Sequence, residues 1–453
     1  MRRFFIIIIN LLILYTFIVT LPDDLIAKDF HVTNELQFQE ALSMAAGNNE
    51  GSDTIYLAAG IYQNRFEINS FRYISDEINQ IQIKPENGYC AKDVIIDVKN
   101  ADNALILSTS NNINYVIENI TFQNTVDEGV FISTIGNVEI HNCIFFSGEY
   151  SLYIHNVNSL NMSNNLFKNN DIAFDVVKSN DISVTYNSFI ENKCGITVYN
   201  GKNVSIMNNI ICKNIGSLSS NISHGGVRIY FKGKLSIINN TIAFNQLRST
   251  TGINDGGGLY LRIEDSNAIT QIYNNIFWNN YAKGGGDDIY ISGFGSNTSV
   301  YKNVYKQIAG AFDEASGNMN EDPMFVGSDN NDYHLSKKSP CINLGYNDAP
   351  NLPETDIDGN PRINENIIDI GAYEFTKEKI PSDQNEDWIL TNEEFNAYAE
   401  AWRKGETWNK GPDPIPIDYV TRSGYLQKKG ETYKNEGGKK PECWKPDDNN
   451  TKR

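Results

Sequence analysis

Asn240-Thr-Ile-Ala-Phe-Asn245 and Asn275-Ile-Phe-Trp-Asn-Asn280 share one short pattern, and the reading of that pattern decides the fold. An asparagine opens it, a small or apolar run follows, and a second asparagine usually closes it. Earlier copies are Asn119-Ile-Thr-Phe-Gln-Asn124, Asn142-Cys-Ile-Phe-Phe-Ser147, Asn165-Leu-Phe-Lys-Asn-Asn170, Asn187-Ser-Phe-Ile-Glu-Asn192 and Asn209-Ile-Ile-Cys-Lys-Asn214, with a degenerate copy from Asn303. The leading asparagines stand 23, 23, 22, 22, 31, 35 and 28 residues apart. A short period broken by insertions at one point is the signature of a solenoid.

Each unit carries a second apolar run, such as Leu152-Tyr-Ile154, Val227-Arg-Ile229 and Leu259-Tyr-Leu261. These alternate with period two and are rich in strand-forming residues, so one face is buried. A unit of about 22 residues is too short for two helices and holds two or three short strands. The expected fold is all-β, a parallel β-helix. Asparagine at its turns tolerates left-handed backbone and can hydrogen-bond from coil to coil. The repeat resembles the right-handed parallel β-helix proteins of the pectate-lyase-like superfamily. That resemblance implies a fold and leaves the function open.

A solenoid end must be covered. Asn34, with Gln37 three residues on, can cap a helix whose Phe38, Ala41, Leu42 and Ala45 share one face. It predicts an N-terminal capping helix over the first coil. The stretch Asp53-Thr-Ile-Tyr-Leu-Ala-Ala-Gly-Ile-Tyr62 resembles the opening coil of secreted β-helix proteins.

The 453 residues carry a net charge of −18, which argues against nucleic acid as a partner. Met1-Arg-Arg3 and the apolar run Phe4–Leu21 read as a bacterial-type export signal, cleaved near residue 27 or kept as an anchor. Its removal takes away Arg2, Arg3, Asp23 and Asp24 and leaves the charge unchanged. The protein is therefore expected to be secreted or held at the cell surface. The six cysteines show no metal-ligand spacing and read as structural residues.

The reading divides the chain into 1–27, an export signal, 28–320, the capped β-helix, 321–376, its closing segment, 377–433, a calcium module, and 434–453, a disordered tail. The ordered series Asp322-Pro-Met-Phe325, Asp332-Tyr-His-Leu335, Ser339-Pro-Cys-Ile-Asn343, Asp356-Ile-Asp-Gly-Asn-Pro-Arg362 and Asp369-Ile-Gly-Ala-Tyr-Glu-Phe375 resembles the closing segment of bacterial surface β-helix proteins with interchangeable C-terminal anchors. Alanine is usual in that family where Cys341 stands. The resemblance implies export and a modular tail, and no reaction.

After the linker, Asp383, Asn385, Asp387, Thr391 and Glu394 place side-chain oxygens at positions 1, 3, 5, 9 and 12 of a twelve-residue loop, and Ile389 offers its carbonyl at position 7. This is the calcium spacing of an EF-hand. Trp388 replaces the usual glycine at position 6. The alternative is a helix start with acidic caps. The segment resembles, more loosely, a dockerin-like module, small and α-helical, which implies calcium and attachment to a protein partner or the cell envelope.

Segments 215–224, 246–255 and 281–287 lengthen three successive coils at one corner, each leading into glycines, and so project from one side. Beside them, alternation sends one column of residues outward: Phe131, Tyr153, Ala173, Thr197, Arg228, Tyr260 and Tyr290. A second column holds Ser133, His155, Asp175, Tyr199, Tyr230, Arg262 and Ser292. Tyr153, Tyr199, Arg228, Tyr230, Tyr260, Arg262 and Tyr290 suit an extracellular polysaccharide, with rings against sugar C–H faces and guanidinium groups on carboxylates or sulfates. The alternative is ordinary exposed strand propensity. Arg228, Arg262, Asp255 and Asp287 are the candidates for a lyase or hydrolase reaction. The short fingerprints of polygalacturonases, pectate lyases and uronan epimerases are missing, and His155 and His224 stand alone. Two readings stay open: a non-catalytic glycan-binding surface protein, and a polysaccharide lyase or glycoside hydrolase.

Overall fold

A computed structural model describes residues 27–48, 51–63, 70–75, 79–99, 103–216, 225–248, 254–363 and 366–447. All of the expected signal except Ala27 lies outside the described residues, as do His224 and parts of two inserted segments. The chain forms two compact units, residues 1–188 with 192–203, and residues 189–191 with 204–453. The fold is a right-handed parallel β-helix with three strands per coil, each strand pairing in parallel with its counterpart in the next coil.

In the first unit, strands such as Asn137–His141, Tyr150–His155 and Ile144–Phe146 represent the three sheets. Their inward residues, among them Ile140, Ile154 and Phe145, are at most 1% exposed. Phe122, Phe145 and Phe167 stack along the interior, with centroids 5.3 and 4.5 Å apart. The helix α1, Glu35–Ala45, covers the first coil as its sequence predicts. Asn34 Oδ1 accepts from Gln37 N, while Phe38, Leu42 and Ala45 are fully buried. Phe38 packs on Phe71 with ring centroids 4.6 Å apart.

The asparagines prove to do two jobs, which shifts the sequence register by one residue in the first copies. Asn119, Asn142, Asn164, Asn208, Asn239 and Asn274 take the left-handed backbone that turns the corner. The buried ladder runs one residue later. In the first unit Asn165 N and Nδ2 both donate to Asn187 Oδ1 at 2.9 Å, and Cys143 fills the ladder position in the coil before, its N–H donating to Asn165. In the second unit Asn209, Asn240, Asn275, Asn303 and Asn318 continue the same exchange. A second ladder joins Asn214, Asn245 and Asn280. An amide suits this position because it accepts from one coil while donating to another, so no buried polar group is left over.

The second unit's third sheet, built on Ile210–Cys212, Thr241–Ala243 and Ile276–Trp278, is apolar on both faces. Inward, Ile211, Ile242 and Phe277 fill the coil. Outward, Ile210, Cys212, Ala243, Ile276 and Trp278 meet Tyr333, Leu335, Cys341, Ile370 and Ala372 of the closing segment in one cluster. That segment therefore lies along the flank of the coils. Backbone groups fasten it: Asn239 Nδ2 donates to Asp369 O and Gly371 O, and Asn274 Nδ2 donates to Tyr346 O.

Beyond it, helices α2, Asn392–Lys404, and α3, Ile417–Lys428, form a small module. The expectation of a disordered tail from 434 is overturned up to residue 447. Tyr433–Asn435 and Trp444–Pro446 pair as an antiparallel hairpin. The stretch is polar in composition, yet Tyr433, Cys443 and Trp444 anchor it on Ile380, Leu390 and Leu426, and Trp444 is only 1% exposed. Residues 448–453 lie outside the described residues. Among the described residues no helix is long and apolar enough to cross a membrane.

Candidate functional site

In the second unit the strands Val227–Phe231, Leu259–Ile263 and Ile289–Gly293 pair in register, so Arg228, Tyr260 and Tyr290 form one outward column. Tyr230, Arg262 and Ser292 form the next. Tyr260 and Tyr290 stack with centroids 5.7 Å apart and planes 5° from parallel. The Arg228 guanidinium lies 5.3 Å from the Tyr260 ring centre, and that of Arg262 lies 5.9 Å from Tyr230. Such contacts are worth about 0.5–2 kcal/mol each, more when desolvated. Burial separates the roles within this face. Arg228 and Tyr260 are 7% and 4% exposed and form its floor, whereas Tyr230 and Tyr290 are half-buried and Arg262 is exposed.

The inserted segments stack on one another. Gln246–Leu247 pairs with Tyr281–Ala282, Ile215 bridges to Gln246, and Asp255 bridges to Gly285. The glycines beside them are required by close approach: a Cβ on Gly226 would lie 2.5 Å from Gly258 O, and one on Gly257 would lie 2.2 Å from Tyr281 O. Two of the acids here, Asp287 and Asp288, accept hydrogen bonds within the array. Asp287 Oδ1 accepts from Ala282 N and holds its own loop. Asp255 packs on the adjoining loop, 2.3 Å from where a Gly284 Cβ would stand. Asp288 is 1% exposed and ends the second asparagine ladder, accepting from Asn280 Nδ2 at 2.9 Å and Lys306 N at 2.7 Å. Burial outweighs these bonds and raises its pKa.

In the first unit the outward column differs from the one expected. Phe131 pairs with Tyr153, Tyr153 with Asp175, and Asp175 with Thr197. Ala173 is fully buried, and Val177, not Asp175, lines up with His155 and Tyr199. Counting five residues on from the ladder asparagines Asn170 and Asn192 reaches Asp175 and Thr197 alike, a signal the strand pattern alone conceals. Phe131 and Tyr153 stack at 5.8 Å. Asp175 was not a candidate from sequence, yet its Oδ1 is buried without a hydrogen-bond partner among the described residues. Burial alone pushes its pKa up to about 7. Tyr199, half-buried, stands two residues beyond Thr197.

The loop 383–394 turns through two left-handed residues. Trp388, at the glycine position, takes a left-handed φ of 67°, and Glu386 takes 60°. The carboxylates, however, rest on N–H and O–H donors. Asp383 accepts from Tyr433 Oη at 2.6 Å and Trp388 N at 3.0 Å. Asn385 and Asp387 hydrogen-bond each other, and Ile389 N donates to Asp387 Oδ1 at 2.8 Å. Thr391 caps α2, and Glu394 closes the capping box while its other oxygen accepts from Gln384 N. Among the described residues no three His, Cys, Asp or Glu side chains converge as a metal cage. Two cavities flank this loop. One of about 570 Å³ is lined by Glu378, Asp383, Glu386 and Lys410 among others, and one of about 550 Å³ by Phe375, Trp388, Tyr433 and lysines.

Residues 79–242 match the model of a family described as "Right handed beta helix region". Among curated proteins no match to the chain is found. Among solved structures the chain is similar to an alginate lyase from Paenibacillus sp. str. FPU-7, at 13% identity and a TM-score of 0.31, covering 65% of this chain and 99% of that one.

Proposed function

We propose that this chain is a secreted or cell-surface protein that binds extracellular polysaccharide along the outward face of the second unit's strands Val227–Phe231, Leu259–Ile263 and Ile289–Gly293. The observation that carries the reading is the interleaving of two guanidinium groups with three tyrosine rings on one flat parallel surface. Coils spaced by about 4.8 Å present a regular lattice to a regular polymer. Arg262 supplies the accessible cation for sugar carboxylates or sulfates, Tyr230 and Tyr290 supply ring faces, and Arg228 with Tyr260 holds the floor in place. The C-terminal module serves attachment to a protein partner or the envelope, with calcium held by Asp383, Asn385, Asp387, the Ile389 carbonyl, Thr391 and Glu394.

Incubation of the mature protein with uronate polymers tests both readings at once. Retention in affinity electrophoresis, lost in Arg262→Ala with Tyr290→Ala, supports binding. Absorbance from unsaturated products supports the lyase alternative. Full retention of that double variant excludes this face.

A further inference from the structure

The first unit carries a second outward constellation that the proposed face does not use. Asp175 stands between Tyr153 and Thr197 in adjoining coils, and Tyr153 stacks on Phe131 in the coil before. Phe131, Tyr153 and Asp175 are all half-buried, so each keeps an outer edge accessible. Strand packing here gives the carboxyl no visible structural task. Its Oδ1 meets no donor among the described residues, in contrast to Asp288, whose oxygens all accept hydrogen bonds. A desolvated carboxyl oxygen with no partner destabilises a fold, and perturbed carboxyls collect at functional sites.

We propose that Phe131, Tyr153 and Asp175 form a sugar subsite that takes a neutral pyranose, its C–H face against the two rings and a hydroxyl donating to the outer edge of the Asp175 carboxylate. A hydroxyl-rich neutral sugar brings donors to the outer edge of this carboxyl, while Oδ1 itself stays buried. A uronate would bring a second negative charge to a place where Glu128 and Asp175 already act on Tyr153. The ionisable groups on the strands flanking Asp175 are Tyr150, Tyr153 and His155 on one side and Cys194 and Tyr199 on the other, and Glu128 and Glu149 act with Asp175 on Tyr150. Hydrogen bonds from the sugar favour the ionised carboxyl, so binding lowers a pKa that burial holds at about 7. Affinity for the neutral sugar therefore rises with pH up to about 7 and levels off above it, by tenfold for each unit of lowering.

The subsite lies in the other unit and shares with the proposed function only that the ligand is a glycan. The full mature chain is titrated calorimetrically with a panel of neutral and uronic oligosaccharides at pH 5 and pH 8. We expect a neutral member to bind tenfold or more tightly at pH 8. Asp175→Asn should weaken it and abolish the pH dependence with the melting temperature kept, and Tyr153→Ala should weaken it where Tyr153→Phe does not. Arg262→Ala should leave this binding untouched, which separates the two sites. The proposal is overturned if no neutral member binds, if Asp175→Asn binds as the parent does, if affinity falls as pH rises, or if the sugar is cleaved in an Asp175-dependent way.

Discussion

Arg362 and Glu374 meet at 2.9 Å with each side chain 1% exposed. The same guanidinium donates to the carbonyls of Gly371 and Ala372 at 3.1 Å and to Asn208 Oδ1. One buried cation thus ties two stretches of the closing segment to a β-helix corner. Arg362→Met removes it and leaves Glu374 buried without its counter-charge, at a cost of about 3–5 kcal/mol. Denaturant unfolding should show that loss, with early exposure of the cluster around Tyr333 and Ile370. A variant as stable as the parent would mean the apolar cluster alone holds the flank.

Asn240 is fully buried and serves three coils. It accepts from Asn209 N and Nδ2 and donates to Ile206 O and Asn275 Oδ1. Asn240→Ala orphans several of these groups at about 1–3 kcal/mol each. Asn318, half-buried at the end of the ladder, shares its last exchange with water-accessible coil. Thermal melts should therefore show a much larger drop for Asn240→Ala than for Asn318→Ala. Equal drops would make the ladder a bystander to strand packing.

Arg262 is the exposed cation of the second unit's outward face, seated over Tyr230. Losing one charge-assisted hydrogen bond costs about 1.5–3 kcal/mol, so Arg262→Ala should weaken an acidic glycan roughly tenfold to a hundredfold without changing the melting temperature. Arg228→Ala should instead lower stability, because Arg228 is part of the floor. Calorimetric titration beside a thermal melt separates the two effects. A glycan affinity unmoved by Arg262→Ala excludes this face.

The repeat was legible because period-two alternation and asparagine spacing both follow from local backbone geometry. Two features were not. The split of asparagine into corner and ladder roles depends on which residue turns left-handed, and Asn164-Asn165, Asn208-Asn209 and Asn274-Asn275 present both at once. That ambiguity, with a slip of two residues at the strand Ile172–Val177, put Asp175 in the second outward column instead of the first. The ordered tail escaped because three anchors, Tyr433, Cys443 and Trp444, are sparse within a polar stretch and gain their meaning only against Ile380, Leu390 and Leu426. Cys341, by contrast, was legible as a structural residue: it is buried beside Ile370, and burial pushes its thiol up to about 12.

His334 links the closing segment internally, with Nδ1 at 2.6 Å from Asp332 and Nε2 at 2.7 Å from Asp358, its ring stacked on Tyr373. Burial opposes its charge, but the two carboxylates outweigh that and raise its pKa to about 9. A raised folded-state value means the contribution is complete below the unfolded value of about 6.5 and is lost as pH climbs through about 9. Stability should fall by at most about 3 kcal/mol between those limits. His334→Gln should flatten that slope. An equally steep slope in the variant would assign it to other groups.

The loop at 383–394 offers the last test, because its acids already accept hydrogen bonds that a calcium ion would have to replace. Trp388 holds a left-handed conformation that costs a non-glycine residue about 1–2 kcal/mol. Its ring lies 5.2 Å from Tyr433, whose hydroxyl donates to Asp383, so hairpin and loop support each other. Calcium prefers several hard oxygens, and bringing Asp383, Asp387 and Glu394 around one ion requires Glu394 to leave its capping box. Binding should therefore be visible as movement near Trp388. The chain holds 5 tryptophans, so the signal is the difference between the parent and Trp388→Phe during calcium titration of the full chain. We expect a saturable change that Glu394→Gln weakens, and a higher melting temperature with calcium than with chelator. Titration to millimolar calcium without a Trp388-dependent signal, and melting unchanged by chelator, would mean that these acids serve as caps for α2 and the loop holds no metal.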